Sequence, residues 1–212
     1  MCRAKPERHV FFDLDGTLHR EDLFGCFLFF LVRHLPLNLP LALIVLPVVA
    51  SGLLICGRSS RWPVSLLLWG MTLGRTPERL QQLTQNFARD FRQRMTLFPQ
   101  VQAQLEHWLQ ESDTEVWLIT GSPEHLVRLV YADVPWFSSV QLIGSLISPG
   151  KGGLLMKRRC LGDEKVVQLV QRIGTPLTLH SGYSDSDRDS PLLVCCQYRW
   201  RISRDGALTR QK

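Results

Sequence analysis

The sequence predicts an α/β fold: a doubly wound parallel sheet with an inserted apolar helical segment that associates with a membrane. Three observations predict it. Apolar strand-like runs alternate with helical patterns, as in a parallel sheet with helices on both faces. Polar side chains recur just past the ends of those strands, where such sheets bind ligands. A charge-free run, "LPLNLPLALIVLPVVASGLLICG", fills Leu35 to Gly57 after the first strand. These mark residues 1–22 and 99–212 as the core and 23–98 as the insertion.

The first strand is expected at His9–Leu14. In "TPERLQQLTQNFARDF", Thr76 caps a helix, Pro77 takes its first position, and Leu80, Leu83, Phe87 and Phe91 share one face. A second helix over Pro99–Gln110 buries Val101, Leu105 and Trp108. "TEVWLITGSPEHLVRLVY" reads strand, tight turn, helix, with Val116–Ile119 buried and Ser122 as N-cap. "GDEKVVQLVQRI" is a helix capped by Asp163, and "TPLTLHSGYSDSDRDSPLL" is again strand, loop, helix. The alternation in "QYRWRIS" predicts a last strand, followed by a turn at Asp205-Gly206. There are no internal repeats and no low-complexity tract.

Composition narrows the class. The 212 residues suffice for one domain with an insertion. Lysines and arginines number 25 against 19 acids, a net charge of +6. No basic stripe with interleaved aromatics accompanies that excess, which argues against nucleic acid. A basic protein touching a membrane favours anionic lipid. Arg33, Arg58 and Arg61 flank the apolar run. Cys2, Cys26, Cys56, Cys160, Cys195 and Cys196 show no metal-binding spacing and read as reduced, mostly buried thiols.

The chemistry concentrates at four places. "FFDLDGTL" sets Asp13 and Asp15 directly after a buried strand and before a glycine that permits a tight turn. The pair alone also fits a solvated turn. "LITGS" adds Thr120 with the amides of Gly121 and Ser122, a phosphate cradle at a helix start. "GDEK" carries Lys165, and "YSDSDRD" clusters Asp185, Asp187 and Asp189. Carboxylates so grouped would repel each other and a phosphate unless a hard cation intervened. Magnesium, held by one or two carboxylates plus phosphate and water, meets that need, with Asp13 and Asp185 as its candidate ligands. Asp13 is then the nucleophile that becomes an aspartyl-phosphate. Asp15 protonates the leaving alkoxide and later takes a proton from water. Their pKa values must separate, by the metal for Asp13 and neighbouring negative charge for Asp15. Thr120, Gly121 and Ser122 orient phosphoryl oxygens, Lys165 offsets charge, and Asp189 positions Lys165 or a metal-bound water. Asp187 reads as a solvated loop carboxylate.

These four motifs, in this order, resemble the haloacid dehalogenase superfamily of phosphatases in its phosphoserine-phosphatase-like branch. The resemblance implies a Rossmann-like core and the same roles for Asp13, Asp15, Thr120, Lys165 and Asp185, with the backbone carbonyl of Asp15 as a further magnesium contact. It also makes the segment between the first two motifs a cap over the site. Many members have Gly-Asp where this chain has Tyr183-Ser184 before Asp185.

The cap expected here is greasy. Phe24 to Val32 precede the long run and "WPVSLLLWGMTLG" follows it. A buried cap core is one reading; a membrane is the other, because a small cap cannot hide so much apolar surface. About twenty apolar residues can cross a bilayer. Yet Asp13 and Thr120 must meet at one phosphate, so a single crossing between them is excluded. A helical hairpin or shallow embedded helices are expected, with Trp62 and Trp69 near the interface, on the cytoplasmic face of the inner membrane. The run is not a signal peptide, since the first strand precedes it. "KGGLLMKRR" supplies Lys151, Lys157, Arg158 and Arg159, which suit an anionic headgroup or form a solvated basic loop. As a whole, the chain resembles the lipid-directed members of that superfamily. This implies hydrolysis of phosphatidylglycerophosphate to phosphatidylglycerol and phosphate, with no obligatory protein partner. The rival expectations are a phosphatase of a soluble phosphomonoester tethered to the membrane, and a phosphate-binding scaffold without turnover.

Overall fold

The computed structural model describes residues 7–57 and 59–211, so Cys2 and Arg58 lie outside the described residues. The chain runs β1 (Arg8–Phe12), α1 (Leu23–His34), α2 (Leu39–Ile55), α3 (Arg61–Thr72), α4 (Pro77–Arg94), α5 (Pro99–Gln110), β2 (Thr114–Pro123) and α6 (Glu124–Val130). It continues through β3 (Gln141–Gly150), β4 (Gly153–Arg158), α7 (Asp163–Ile173), β5 (Leu179–Ser184), α8 (Ser190–Leu193), β6 (Cys196–Ile202) and β7 (Leu208–Gln211). The seven strands form one sheet in the order β4-β3-β2-β1-β5-β6-β7. The five inner strands are parallel; β4 and β7 close the edges antiparallel. The doubly wound fold is therefore as expected.

Side-chain alternation along β1 splits the core. Val10 and Phe12 join one cluster with Phe27 of α1, Phe87 of α4, Leu105 of α5 and Val127 of α6. Phe11 joins the other, with Leu169 of α7 and Leu192 of α8. Both faces of β1 are thus covered, which is why its sequence is continuously apolar. β1 is also the switch point: the chain builds β2 and β3 on one side and β5 and β6 on the other. The crevice at the carboxyl ends of β1, β2 and β5 follows from that topology.

The insertion leaves and returns at one place. The Phe98 amide bonds the Leu18 carbonyl at 3.0 Å and the Arg20 amide bonds the Thr96 carbonyl at 3.0 Å. Its apolar residues divide three ways. α1 and α4 pack on the sheet's core through Phe27 and Phe87, whose ring centroids lie 5.1 Å apart. α3 lies along edge strand β4: Thr72 Oγ1 accepts from the Leu154 amide at 2.7 Å, and Ser65 Oγ accepts from the Met156 amide at 3.1 Å. α2 packs outside α3, where Trp62 and Pro63 crowd against Gly52, and leaves Leu43, Ile44, Leu54 and Ile55 exposed. The buried-core reading holds for α1 and α3 and fails for α2.

Three local expectations need correction. "KGGLLMKRR" is not a loop: Lys151-Gly152 turn a β3–β4 hairpin, and Lys157 and Arg158 belong to β4. Trp69 donates its indole N–H to the Lys151 carbonyl at 2.9 Å and so ties α3 to that turn. Ser122 does not cap a helix, because β2 continues to Pro123 and α6 starts at Glu124. Asp163 is the first residue of α7 rather than its cap; Gly162 holds the cap position at φ +58°.

Candidate active site

Asp13 stands one residue beyond β1, its amide bonded to the Tyr183 carbonyl of β5 at 2.9 Å. That bond carries the sheet's parallel pairing past the strand end and aims the carboxylate into the crevice. Lys165, in the first turn of α7, reaches it from a residue 152 positions away, with Nζ 2.7 Å from Asp13 Oδ1. The same ammonium lies 2.6 Å from Asp189 Oδ1, and Ser184 Oγ donates to Asp189 Oδ2 at 2.7 Å. Asp189 positions Lys165, as the sequence led us to expect. Lys165 is only 2% exposed. Burial alone would lower its pKa, but the charges of Asp13 and Asp189 outweigh burial and raise it, so the ammonium stays charged.

Asp15 sits in a nest of donors. Oδ1 accepts from the Leu23 amide at 2.7 Å; Oδ2 accepts from Thr120 Oγ1 at 3.0 Å and Ser122 Oγ at 2.7 Å. His19 Nε2 lies 3.5 Å from Oδ1, and its Nδ1 meets the Tyr131 hydroxyl at 2.8 Å. Burial pushes the Asp15 pKa up, but His19 and these donors outweigh burial and leave it lowered. Asp13 goes the other way: burial raises it well above the carboxylate range, Lys165 opposes, and the charges of Asp189 and Asp15 add to the rise. The protein's own groups thus push the two pKa values apart. The physical reason is that Asp15 collects the hydrogen-bond donors while Asp13 faces other carboxylates.

Thr120 differs from expectation in its contacts. It is fully buried; its hydroxyl donates to Asp15 and accepts from the Ser122 amide at 3.0 Å. In this arrangement its hydroxyl is engaged with Asp15. Gly121 and Ser122 do line the cleft, together with Asp13, Asp15, Lys165, Asp185 and Asp189. Lys157 and Arg158 do not. Arg158 is committed to Glu124 Oε1 and the Gly144 carbonyl, both at 2.9 Å, because it staples β4 to the start of α6. Lys157 is exposed on β4, in a neighbouring groove with Arg61. Asp187 pairs with Arg201 at 2.9 Å on the surface, as a solvated loop carboxylate.

The residues present fit magnesium. Asp13, Asp185 and Asp189 meet only one ammonium in this pocket. The Asp185 carboxylate makes no ion pair among the described residues, and burial and Asp189 raise its pKa. A divalent cation would offset that excess negative charge. No cluster of three such ligand side chains occurs among the described residues. The set expected here needs only the Asp13 and Asp185 carboxylates, with Asp15 contributing its carbonyl because its carboxylate is engaged elsewhere.

Sequence reasoning missed several groups. Asp22 caps α1 by accepting from the Gly25 amide at 2.9 Å and lines the cleft. Its position before the apolar "LFGCFLFF" was a readable cap signal. His19 and Tyr131 are 112 residues apart, and no local pattern joins them. Arg20 and Arg188 also line the cleft, Arg188 from within "YSDSDRD" but without a role assigned to it, and Arg159, expected as a headgroup contact, joins them there.

Residues 10–193 match the family model of haloacid dehalogenase-like hydrolases. Among solved structures, a Bordetella pertussis Tohama I protein of unknown function is similar over 91% of this chain and 88% of its own, at 22% identity and TM-score 0.66. A HAD family hydrolase from Salmonella enterica serovar Typhi covers 91% of this chain and 60% of its own, at 14% identity and TM-score 0.55. A phospho-aspartyl intermediate analogue of phosphoserine phosphatase covers 92% and 86%, at 10% identity and TM-score 0.54. These likenesses establish a shared fold, and the family match over the residues that build the crevice places the chain among the haloacid dehalogenase-like hydrolases.

Proposed function

We propose that the protein is a magnesium-dependent phosphatase of a membrane lipid, hydrolysing phosphatidylglycerophosphate to phosphatidylglycerol and phosphate at the cytoplasmic face of the inner membrane. One observation carries the lipid part: an all-round apolar helix, covered on one side only, is joined to the wall of the cleft. The turn after α2 rests on the loop that delivers Lys165. Arg159 donates to the Ser60 carbonyl at 3.0 Å, and Ser59 lies against Gly162. A helix apolar on all sides belongs in a protein core or in lipid, and α2 is not in the core. Its 17 residues span about 26 Å at 1.5 Å each. Both ends return to the protein: Asn38 Nδ2 donates to the Leu73 carbonyl at 2.7 Å, and the far end meets Arg159. That favours a helix lying in one leaflet over one that crosses.

In the reaction, Asp13 attacks phosphorus and forms the aspartyl-phosphate, while the leaving alkoxide takes a proton from Asp15. Water then attacks the same phosphorus, gives its proton to Asp15, and releases phosphate and free Asp13. Lys165 keeps the Asp13 carboxylate oriented and draws charge from the phosphoryl oxygens. Thr120 and Ser122 hold Asp15 toward the leaving group. The donor nest favours ionised Asp15, which suits the second half; the first half needs it protonated, and an arriving phosphate dianion raises its pKa. Magnesium, held by Asp13, Asp185 and the Asp15 carbonyl, would supply charge neutralisation between nucleophile and phosphoryl group. The phosphoserine phosphatase that shares this fold supports the aspartyl-phosphate route.

The test is phosphate release from phosphatidylglycerophosphate, lysophosphatidate and phosphoserine in mixed micelles, with magnesium and with chelator. Faster turnover of phosphoserine would point to a tethered phosphatase of soluble metabolites. No turnover at all would leave the scaffold reading. Full activity in chelator, or restoration by calcium, would remove magnesium from the account.

A further inference from the structure

Three guanidiniums on the cleft wall, those of Arg20, Arg159 and Arg188, have no carboxylate partner among the described residues. Lys165 and a magnesium ion would answer the monoester. Arg159 and Arg188 line the same cleft, near enough for the charge of one to act on the other. Arg159 is half-buried, and its pKa is lowered by burial and by the positive charge of Arg188. Two guanidiniums that repel across a partly desolvated cleft call for an anion between them. Guanidinium is the group best shaped to bind phosphate with two parallel hydrogen bonds.

Their placement adds direction. Arg188 lies in the 3-10 turn Asp187–Asp189, between Asp185 and the carboxylate that holds Lys165. Arg159 lies on the loop before α7, anchored to Ser60 in the turn between α2 and α3. Met156, Leu161 and Phe24 complete that part of the wall, a surface suited to a carbon linker. The cleft measures about 330 Å³, room for about ten waters at ~30 Å³ each, and so exceeds a single phosphate.

We infer that Arg159 and Arg188 form a second anion subsite, which selects phosphomonoesters whose leaving group carries another phosphate. The inference rests on the phosphatase reading above and deepens it. A glycerol linker between a terminal monoester and a phosphodiester would set one phosphate at Asp13 and the other between the arginines. A lipid with a lone monoester, such as lysophosphatidate, leaves the subsite empty.

The experiment compares two soluble monoesters of glycerol: glycerol 3-phosphate, and glycerophosphoglycerol phosphate, the acyl-free headgroup with its extra diester. The wild type should favour the second in kcat/KM by tenfold or more, ~1.4 kcal/mol of binding. Arg188→Ala, at an exposed position, should cut that preference about threefold through KM, half of the binding free energy. Combining it with Arg159→Gln should abolish the preference, whereas Arg159→Lys should retain part of it. Raising ionic strength should narrow the wild-type ratio. Equal use of both compounds by the wild type, or an unchanged ratio in the double variant, would overturn the subsite. A variant that loses both activities equally would overturn it too, by moving the arginines to the monoester. Failure of the wild type on every phosphomonoester would instead bring down the phosphatase reading and the subsite with it.

Discussion

Lys165 is a buried ammonium held by two carboxylates, and removing it exposes how the site is balanced. Lys165→Met leaves Asp13 and Asp189 in the interior without their cation. Breaking a buried pair in this way costs about 3–5 kcal/mol. Asp13, already pushed up by burial and neighbouring carboxylates, then loses the cation that opposes the rise, so its folded pKa lies further above the unfolded one. The folded variant binds more protons, and its stability falls as pH rises. Urea unfolding with chelator present should therefore show a larger loss relative to wild type at pH 8 than at pH 5; the opposite slope would contradict the pairing. Gly16 tests the other side of the cleft. It sits at φ +75°, and a Cβ there would lie 2.7 Å from Asp185 Cγ. Gly16→Ala must strain the backbone and displace the carboxylate. We expect about 10–100-fold weaker apparent magnesium affinity, the usual range when a ligand's support is disturbed, read as a shifted magnesium titration beside the lower melting temperature that the strained backbone brings.

The elements differ in how far the sequence disclosed them. β1 and the Val116–Ile119 part of β2 are apolar runs followed by Asp or Thr-Gly, so period and punctuation agree there, whereas β5, "LHSGYS", was located by the aspartates that follow it and β2 runs on to Pro123. α4 carried both its cap and its stripe: Thr76 accepts from the Arg79 amide, and Leu80, Leu83, Phe87 and Phe91 are buried. The β3–β4 hairpin was illegible. "GSLISPGKGGLLMKRR" mixes glycine, proline and basic residues without clean alternation, because β4 pairs on one edge and is covered by a helix on the other. Side-chain commitments were also hidden. Arg158 looked free and is stapled to Glu124, because nothing local announces a partner 34 residues away. The α3–β4 contact yields a prediction at this scale. Thr72 is fully buried and satisfies the Leu154 amide of an edge strand that would otherwise stand unpaired. Thr72→Val keeps the shape and removes the acceptor, which should cost about 1–3 kcal/mol for the stranded donor. A urea midpoint equal to wild type would show that the edge is held by packing alone.

At the scale of the whole molecule, the question is whether α2 meets a bilayer, as proposed, while both its ends stay with the core. Exposure of Leu43 and Val48 on α2 sets the first measurement. Leu43→Lys with Val48→Lys places two charges in the proposed lipid face and should shift the protein from the membrane pellet to the supernatant, with activity on a soluble phosphomonoester preserved. Unchanged sedimentation would move the anchor elsewhere. Topology then separates lying from crossing. Cys56 is exposed just past the C-terminal end of α2, and Leu37 is exposed just before its start. With Leu37→Cys introduced, a membrane-impermeant thiol reagent should reach both positions in inside-out vesicles and neither in right-side-out ones. A helix that crosses the bilayer puts the two thiols on opposite sides, so one would label in each preparation. The pinned ends argue for the first pattern: pulling either through the membrane would break the Asn38 bond to Leu73 or the Arg159 bond to Ser60, and the latter would move the loop that carries Lys165 to Asp13.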